Sequence, residues 1–368
     1  MTIQSIEISG FRSIRQLHLP LDRLNVVVGA NGCGKSNLYR ALQLLHEAAH
    51  HRLSAALARE GGIQNTMWAG AQRPGPPRRL TLTATLDDYA YSLALGYPSP
   101  TSSLFALDPQ VKEETLWLTA AGRRPSALLL DRKGSSAFLL DVEGARVAYP
   151  VQIAEEASIF GHLSEPHRYP EVSQVREILR NWRFYHAFEV GPGSPLRAPQ
   201  VGIRSPVLDH DGANLAAAFQ TIVEIGDRTL LQDILAEAFD GAHFRVEAQQ
   251  GRMQVLMERR GILRPLQSAE LSDGTLRFLC LAVALLSPRP PQFMAFNEPE
   301  SSLHQDLLPA LARLIATGSC HSQLWITTHS PFLAAEIARH RPTRCISLIQ
   351  QDGATVLDTI SPPGGHEA

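Results

Sequence analysis

The chain has 368 residues, 44% hydrophobic and 19% charged, an ordinary soluble-protein composition with enough apolar material for one large domain or two lobes. A formal net charge of -2 gives no global attraction to nucleic acid or anionic lipid, so a DNA contact would need a local basic face. No apolar run is long enough to span a bilayer and no basic-then-apolar leader follows Met1, which argues against direct membrane insertion and for a cytoplasmic protein. Cys33, Cys280, Cys320 and Cys345 are far apart and lack zinc-ribbon or CxxC spacing, so four reduced thiols are expected.

In chain order, residues 3–8 and 11–19 read as strands, and 25–28 as a third, ending at a glycine. There Gly29-Ala30-Asn31-Gly32-Cys33-Gly34-Lys35-Ser36 fits the phosphate-loop pattern G-x-x-x-x-G-K-[ST], and a helix is predicted over 35–45. A glycine-rich backbone of this kind wraps a phosphate chain. Lys35 would reach the β and γ phosphates and Ser36 would hold Mg²⁺, with Asn31, Gly32, Cys33, Gly34 and Asn37 as accompanying nucleotide contacts. The lysine is informative in itself, since it is one of only three in the chain and falls inside the loop.

Breaks at Gly61-Gly62 and in the run Pro74-Gly75-Pro76-Pro77 precede strand-like alternation over 80–86. Shorter strands at 115–118, 127–130 and 137–140 suggest an inserted antiparallel lobe. A helix is predicted over 173–184, and its Trp182, Phe184 and Tyr185 suit packing against a sheet better than base stacking. The glycine- and proline-rich stretch 191–206 reads as a junction. Residues 214–238 read as helix broken at Gly226-Asp227, and 244–248 with 253–258 as a hairpin. Beyond residue 269 come a turn, a helix over 275–286, a proline-rich stop and the apolar run 293–296, which ends in Asn297-Glu298-Pro299-Glu300. Another apolar run, 324–327, ends at His329, and 346–350 supplies a last strand before the tail 361–368. No repeat or sustained heptad appears, so a long two-stranded arm is not expected. The division expected is a discontinuous core of 1–50 and 260–368, a β-rich lobe over 51–170 partly integrated with it, and a helical region with hairpin over 171–259.

Acids at the carboxyl end of a buried strand sit where open α/β sheets bind ligands. Glu298 is the candidate general base, acting through a water, while Glu300 either shares that chemistry or holds the following turn. Ser272 and Gly274 introduce a helix, either as a plain N-cap or as a phosphate contact at its positive end.

The ordered set resembles the ABC-type ATPase heads of the RecF, SMC and OLD group over nearly the whole chain. GANGCGKSN at 29–37 is similar to Walker A, LSDGT at 271–275 to the signature motif, FMAFNEPESSLH at 293–304 to Walker B with its D-loop, and TTHS at 327–330 to the switch. IEISGFRSI at 6–14, with Phe11-Arg12, is similar to the group's first hairpin. The resemblance implies an α/β P-loop NTPase, an ABC-type ATPase head with an antiparallel β-rich lobe and an inserted helical region. It implies ATP and Mg²⁺ as cofactors and an ATP-dependent homodimer in which Ser272 and Gly274 act on the partner head's nucleotide. His329 would sense the γ phosphate, with Lys35 and Glu298 as its catalytic companions.

One departure stands out. The group usually has aspartate before the catalytic glutamate, and here it is Asn297, which weakens the charge around a metal otherwise held by Ser36 and a coupling-loop glutamine, for which Gln64 is the candidate. Arg12 and Arg197 read as structural arginines or as phosphate or lobe contacts. The implied activity is slow Mg-dependent ATP hydrolysis driving head dimerisation in DNA repair or phage defence, with DNA or a protein effector as candidate partners. The alternative is a nucleotide-gated interaction or sensor module with little turnover. A nuclease is disfavoured because little chain follows the switch, and a transporter because the signature is not LSGGQ.

Overall fold

A computed structural model describes residues 1–71, 78–100 and 104–358. The proline run at 74–77 and the tail at 361–368 lie outside them. The chain forms two compact units, one of Met1–Asp22, Gly29–Trp182 and Ile346–Ala368, the other of Arg23–Val28 and Arg183–Cys345.

In the first unit β1 (Ile3–Phe11) turns at Arg12-Ser13 into β2 (Ile14–Pro20), so the strand expected over 11–19 starts later. Phe11 pairs with Ile14 across this tight turn, and Arg12 adopts φ 47. The other edge of β1 pairs with β4 (Leu80–Leu86), and the sheet continues through β5 (Tyr89–Gly96), β6 (Gln110–Leu118), β7 (Leu128–Lys133), β8 (Ser136–Leu140) and β9 (Arg146–Ala148). The resulting order is β2-β1-β4-β5-β6-β7-β8-β9, antiparallel throughout. The opening hairpin therefore belongs to the antiparallel sheet and not to the parallel one.

Helix α1 (Lys35–Ala49) runs past residue 45 because Leu38, Leu42, Leu45 and Ala49 keep one buried face going. It is followed by α2 (Leu53–Arg59) and α3 (Ile63–Thr66), and it packs on α4 (Pro170–Arg180), where the Arg180 guanidinium donates to the Ala49 carbonyl at 2.8 Å. A fully buried ion pair fastens the 154–159 segment to the antiparallel sheet. The Glu114 carboxylate accepts from Arg132 (3.0 Å), from the Tyr91 and Ser158 hydroxyls (2.7 and 2.6 Å) and from the Ile159 amide (3.0 Å). Arg132 also reaches the Gly134 and Ala154 carbonyls at 2.8 and 2.9 Å, so both charges are met on every side. Burial, with Glu114 alongside, drives the Tyr91 phenol well above its ordinary value.

The second unit holds a parallel sheet, β10 (Arg183–Tyr185), β15 (Phe293–Asn297), β16 (Gln323–Thr327) and β3 (Leu24–Gly29), in the order β10-β15-β16-β3. Here the predicted helix 173–184 is corrected. It stops at Arg180, where the Asn181 side-chain Nδ2 donates to the Glu177 carbonyl at 2.8 Å, and the aromatic residues that follow enter a strand. Trp182, Phe184 and Tyr185 are buried, and Tyr185 stacks on Phe296 with centroids 5.0 Å apart, so packing takes these rings.

Helices α5 (Leu215–Ile225) and α6 (Arg228–Ala238) are separated at Gly226-Asp227, where the Asp227 carboxylate caps the Leu230 amide at 2.9 Å. A small antiparallel sheet of β11 (Gln200–Val201), β12 (His243–Gln249), β13 (Arg252–Glu258) and β14 (Leu266–Gln267) adjoins them. Central to this core is α7 (Asp273–Leu285), buried on almost every side, with α8 (Leu308–Gly318) and α9 (Pro331–His340) covering the sheet. The last strands, β17 (Arg344–Gln351) and β18 (Ala354–Leu357), form a hairpin with Leu348 opposite Leu357. The division between units falls inside β3 and β17, so the chain passes from one unit to the other along these strands. No helix among the described residues is long and apolar enough to cross a membrane, and all four cysteines are unpaired.

Candidate active site

The candidate residues fall into two groups, one in each unit. In the first, the loop after β3 folds back on its own lysine: Lys35 is buried, and its ammonium donates to the Gly29 and Ala30 carbonyls at 2.6 and 3.1 Å. The loop is therefore closed around its own side-chain cation. Gly34 adopts φ 106 as the N-cap of α1, a conformation suited to glycine, and no side chain caps the helix. No acid stands in its first turn either, so the positive helix end is left for an anion. Asn31, Gly32 and Ser36 are exposed, whereas Cys33 is buried beneath the loop.

Asn37 points elsewhere. Its amide nitrogen donates to the Ser13 hydroxyl at 2.8 Å and its oxygen faces Arg12 at 3.4 Å. Arg12 and Arg40 both pair with Glu60, which makes Arg12 a structural arginine of the first hairpin. Gln64 lies exposed in the single turn of α3.

The second group gathers at the carboxyl ends of β15 and β16. Thr327 is its hinge: its hydroxyl donates to Asn297 Oδ1 at 2.8 Å, and its carbonyl accepts the Glu298 amide at 2.8 Å. Glu298 adopts φ 49, a left-handed conformation costing a non-glycine residue on the order of 1 kcal/mol or more, which this bond helps to hold. Glu300 is buried, and its Oε1 accepts from the Thr328 hydroxyl and from the His329 amide at 3.0 Å. His329 Nδ1 stands 3.3 Å from Glu300 Oε1 and 3.8 Å from Glu298 Oε2, which brings the two acids and the histidine together. Glu298 and His329 keep part of their surface in solvent.

A small, partly open pocket beside this cluster is lined by Tyr185, Phe188, Arg277, Asn297 and Glu298, among others. The signature-like turn is built by an arginine: Arg197 donates to the Ala269 and Leu271 carbonyls at 3.0 and 2.7 Å and pairs with Asp273. Ser272 caps α7 by accepting the Thr275 amide at 3.1 Å, while the small Gly274 leaves the turn open. Thr327, Thr328 and the carbonyl-binding role of Arg197 escape sequence reasoning. The threonines of TTHS carry the only signal, a pair of hydroxyls at a strand end.

A metal here would draw on few protein carboxylates, since no group of three or more His, Cys, Asp or Glu among the described residues is arranged to hold one.

With this geometry in view, the comparisons with known proteins are informative. A family model described as "AAA domain, putative AbiEii toxin, Type IV TA system" matches residues 24–335. The chain belongs to this AAA-domain family. The family match runs from β3 to α9 and so includes every candidate named above except Arg12. No curated protein matches the chain. Among solved structures, an Smc head bound to the C-winged helix domain of ScpA is 17% identical with a TM-score of 0.55, covering 97% of this chain and 98% of that one. The SMC head domain from Thermotoga maritima is 14% identical with a TM-score of 0.53, covering 98% and 100%. A Pyrococcus furiosus Smc head with an extended coiled coil, bound to the C-terminal domain of ScpA, is 16% identical with a TM-score of 0.51, covering 97% and 95%. Family and fold together mark an AAA-domain protein with the fold of an ABC/SMC-like ATPase head.

Proposed function

We propose that the chain binds ATP with Mg²⁺ on its phosphate loop and hydrolyses it slowly, using the nucleotide to bring two heads together. The observation that carries this reading is the closed loop around buried Lys35 at an uncapped helix start. In this reading Lys35 and the loop amides neutralise the phosphates, the exposed Ser36 hydroxyl holds the metal, and Glu298 orients the attacking water. His329, placed between two carboxylates, reports on the γ phosphate. Mg²⁺, when bound, would offset charge developing on the transferred phosphoryl group. Asn297 and Gln64 are weaker metal candidates, Asn297 because Thr327 already engages its amide oxygen.

Dimerisation would place Ser272 and Gly274 of one head against the nucleotide of the other. A role in DNA repair or phage defence, and the cytoplasm as its setting, belong to the same proposal. So does a protein effector, a reading supported by solved Smc heads bound to domains of ScpA.

Asn297 favours a second reading, a nucleotide-gated interaction module that binds ATP, dimerises and turns over little. Steady-state ATP hydrolysis with Mg²⁺, beside Glu298→Gln and with and without double-stranded DNA, separates the two. Glu298-dependent turnover supports the ATPase, and stimulation by DNA a repair or defence role. ATP binding without turnover supports the gated module, and absence of binding overturns both.

A further inference from the structure

The underside of the phosphate loop is held by residues outside the family match, at the two extremes of the described chain. Thr355 of β18 is buried, and its hydroxyl donates to the Cys33 carbonyl at 2.8 Å. The same hydroxyl lies 2.7 Å from the Ser13 hydroxyl, and the Thr355 amide donates to the Ser13 carbonyl at 2.7 Å.

A threonine hydroxyl has one proton, and here the Cys33 carbonyl takes it. Ser13 must then donate to Thr355, which leaves Ser13 a lone pair for the Asn37 amide nitrogen at 2.8 Å. That choice turns the Asn37 oxygen toward the Arg12 guanidinium. Every bond in the series Arg12, Asn37, Ser13, Thr355, Cys33 therefore has a single direction, and the series ends on a backbone oxygen inside the loop. Glycines of the loop are pressed against the same hairpin. A side chain at Gly34 would collide with the Thr355 hydroxyl, and one at Gly29 would come within 2.6 Å of the Leu348 carbonyl of β17.

We propose that Thr355, with Ser13, is a positioning residue for nucleotide binding, clamping the Cys33 carbonyl so that the loop amides keep the orientation a phosphate needs. The inference rests on the loop's taking a nucleotide, and it adds a determinant contributed by the β17–β18 hairpin. It also gives Asn37 a new part: its side chain orders the clamp.

The test is equilibrium binding of ATP and ADP to the full chain, with Mg²⁺, well below the melting temperature. Thr355→Val keeps the shape and leaves a buried carbonyl unmet, so affinity for both nucleotides should fall about tenfold. Thr355→Ser restores the hydroxyl and should bind within about twofold of the parent, a rescue that loss of a packing contact would not give. Ser13→Ala provides a second reading from the other end of the clamp, with a fall of about threefold, and stands in should Thr355→Val fail to fold. Unchanged affinity in Thr355→Val, or in Ser13→Ala where the valine variant does not fold, overturns the clamp while the parent still binds ATP. A parent chain that binds no more ATP than Lys35→Ala overturns the nucleotide reading itself, and the clamp with it.

Discussion

Glu300 is the residue whose replacement most directly tests the cluster at the strand ends. Its buried Oε1 accepts two hydrogen bonds, from the Thr328 hydroxyl and the His329 amide, and its Oε2 is buried without a hydrogen-bond partner among the described residues. Hydrogen bonds to a charged acceptor contribute about 1.5–3 kcal/mol and those to a neutral one about 0.5–1.5 kcal/mol. Glu300→Gln keeps the oxygen and removes the charge, so two bonds together weaken by about 2 kcal/mol. If all of this appeared in the transition state, kcat would fall about 30-fold; with part of it absorbed by relaxation of the turn, a fall of about 3- to 30-fold is expected. Glu300→Ala, which strands both donors, should cost more than the glutamine. The assay is steady-state ATP hydrolysis beside equilibrium ATP binding, with affinity held within about threefold because Lys35 and its loop set it. A glutamine variant with parental kcat, in a protein whose turnover Glu298→Gln abolishes, would refute the assignment of Glu300 to the His329 turn.

Asn297→Asp preserves an acceptor for the Thr327 hydroxyl and adds a charge, so turnover should rise and the Mg²⁺ requirement fall; identical magnesium titrations for parent and variant would count against it. Arg132→Met leaves the Glu114 charge buried and should destabilise the antiparallel unit by about 3–5 kcal/mol in denaturant unfolding, with part of the loss recovered by adding Glu114→Gln. Paired side-on with Arg264 and bonded to the Gln267 amide, Glu270 is held down to about 2 from an ordinary 4.5. Because the folded value is the lower one, its stabilising contribution is complete above pH 4.5 and is lost as pH falls toward 2. Carboxyl chemical shifts followed by NMR should place its midpoint near 2, and an Arg264→Met variant should return it toward the ordinary value.

Much of the second unit could be read in the sequence because its signals are local. The runs 293–296 and 324–327 are short, apolar and bounded, and Ser272 announces α7 by capping chemistry. The loop around Lys35 was legible for the same reason: glycines and a lysine at fixed spacing state their own geometry. Pairing partners were not legible. Nothing local shows that β1 leaves β3 to join β4, and β5, buried along its whole length, lacks the alternation that marks a strand with one wet face. The helical pattern read over 173–184 runs past Asn181, where the helix ends, and so takes in residues that belong to β10. Thr355 is a common residue type with no motif around it, Ser13 is not singled out within its opening motif, and only their meeting beneath Cys33 gives them meaning.

The pairing of β3 with β16 also governs how the protein is made. Asn25 and Leu324, joined by a side-chain hydrogen bond at 3.1 Å, are 299 positions apart. At roughly 5–20 residues per second, a ribosome takes about 15 to 60 s to travel between them. Through that interval the nascent Leu24–Gly29 strand, largely apolar, waits without the neighbour on which its place in the sheet depends. A chain released early, before residue 323, would carry an intact glycine-rich motif on a strand still lacking that neighbour, a sticky edge suited to chaperones or to aggregation.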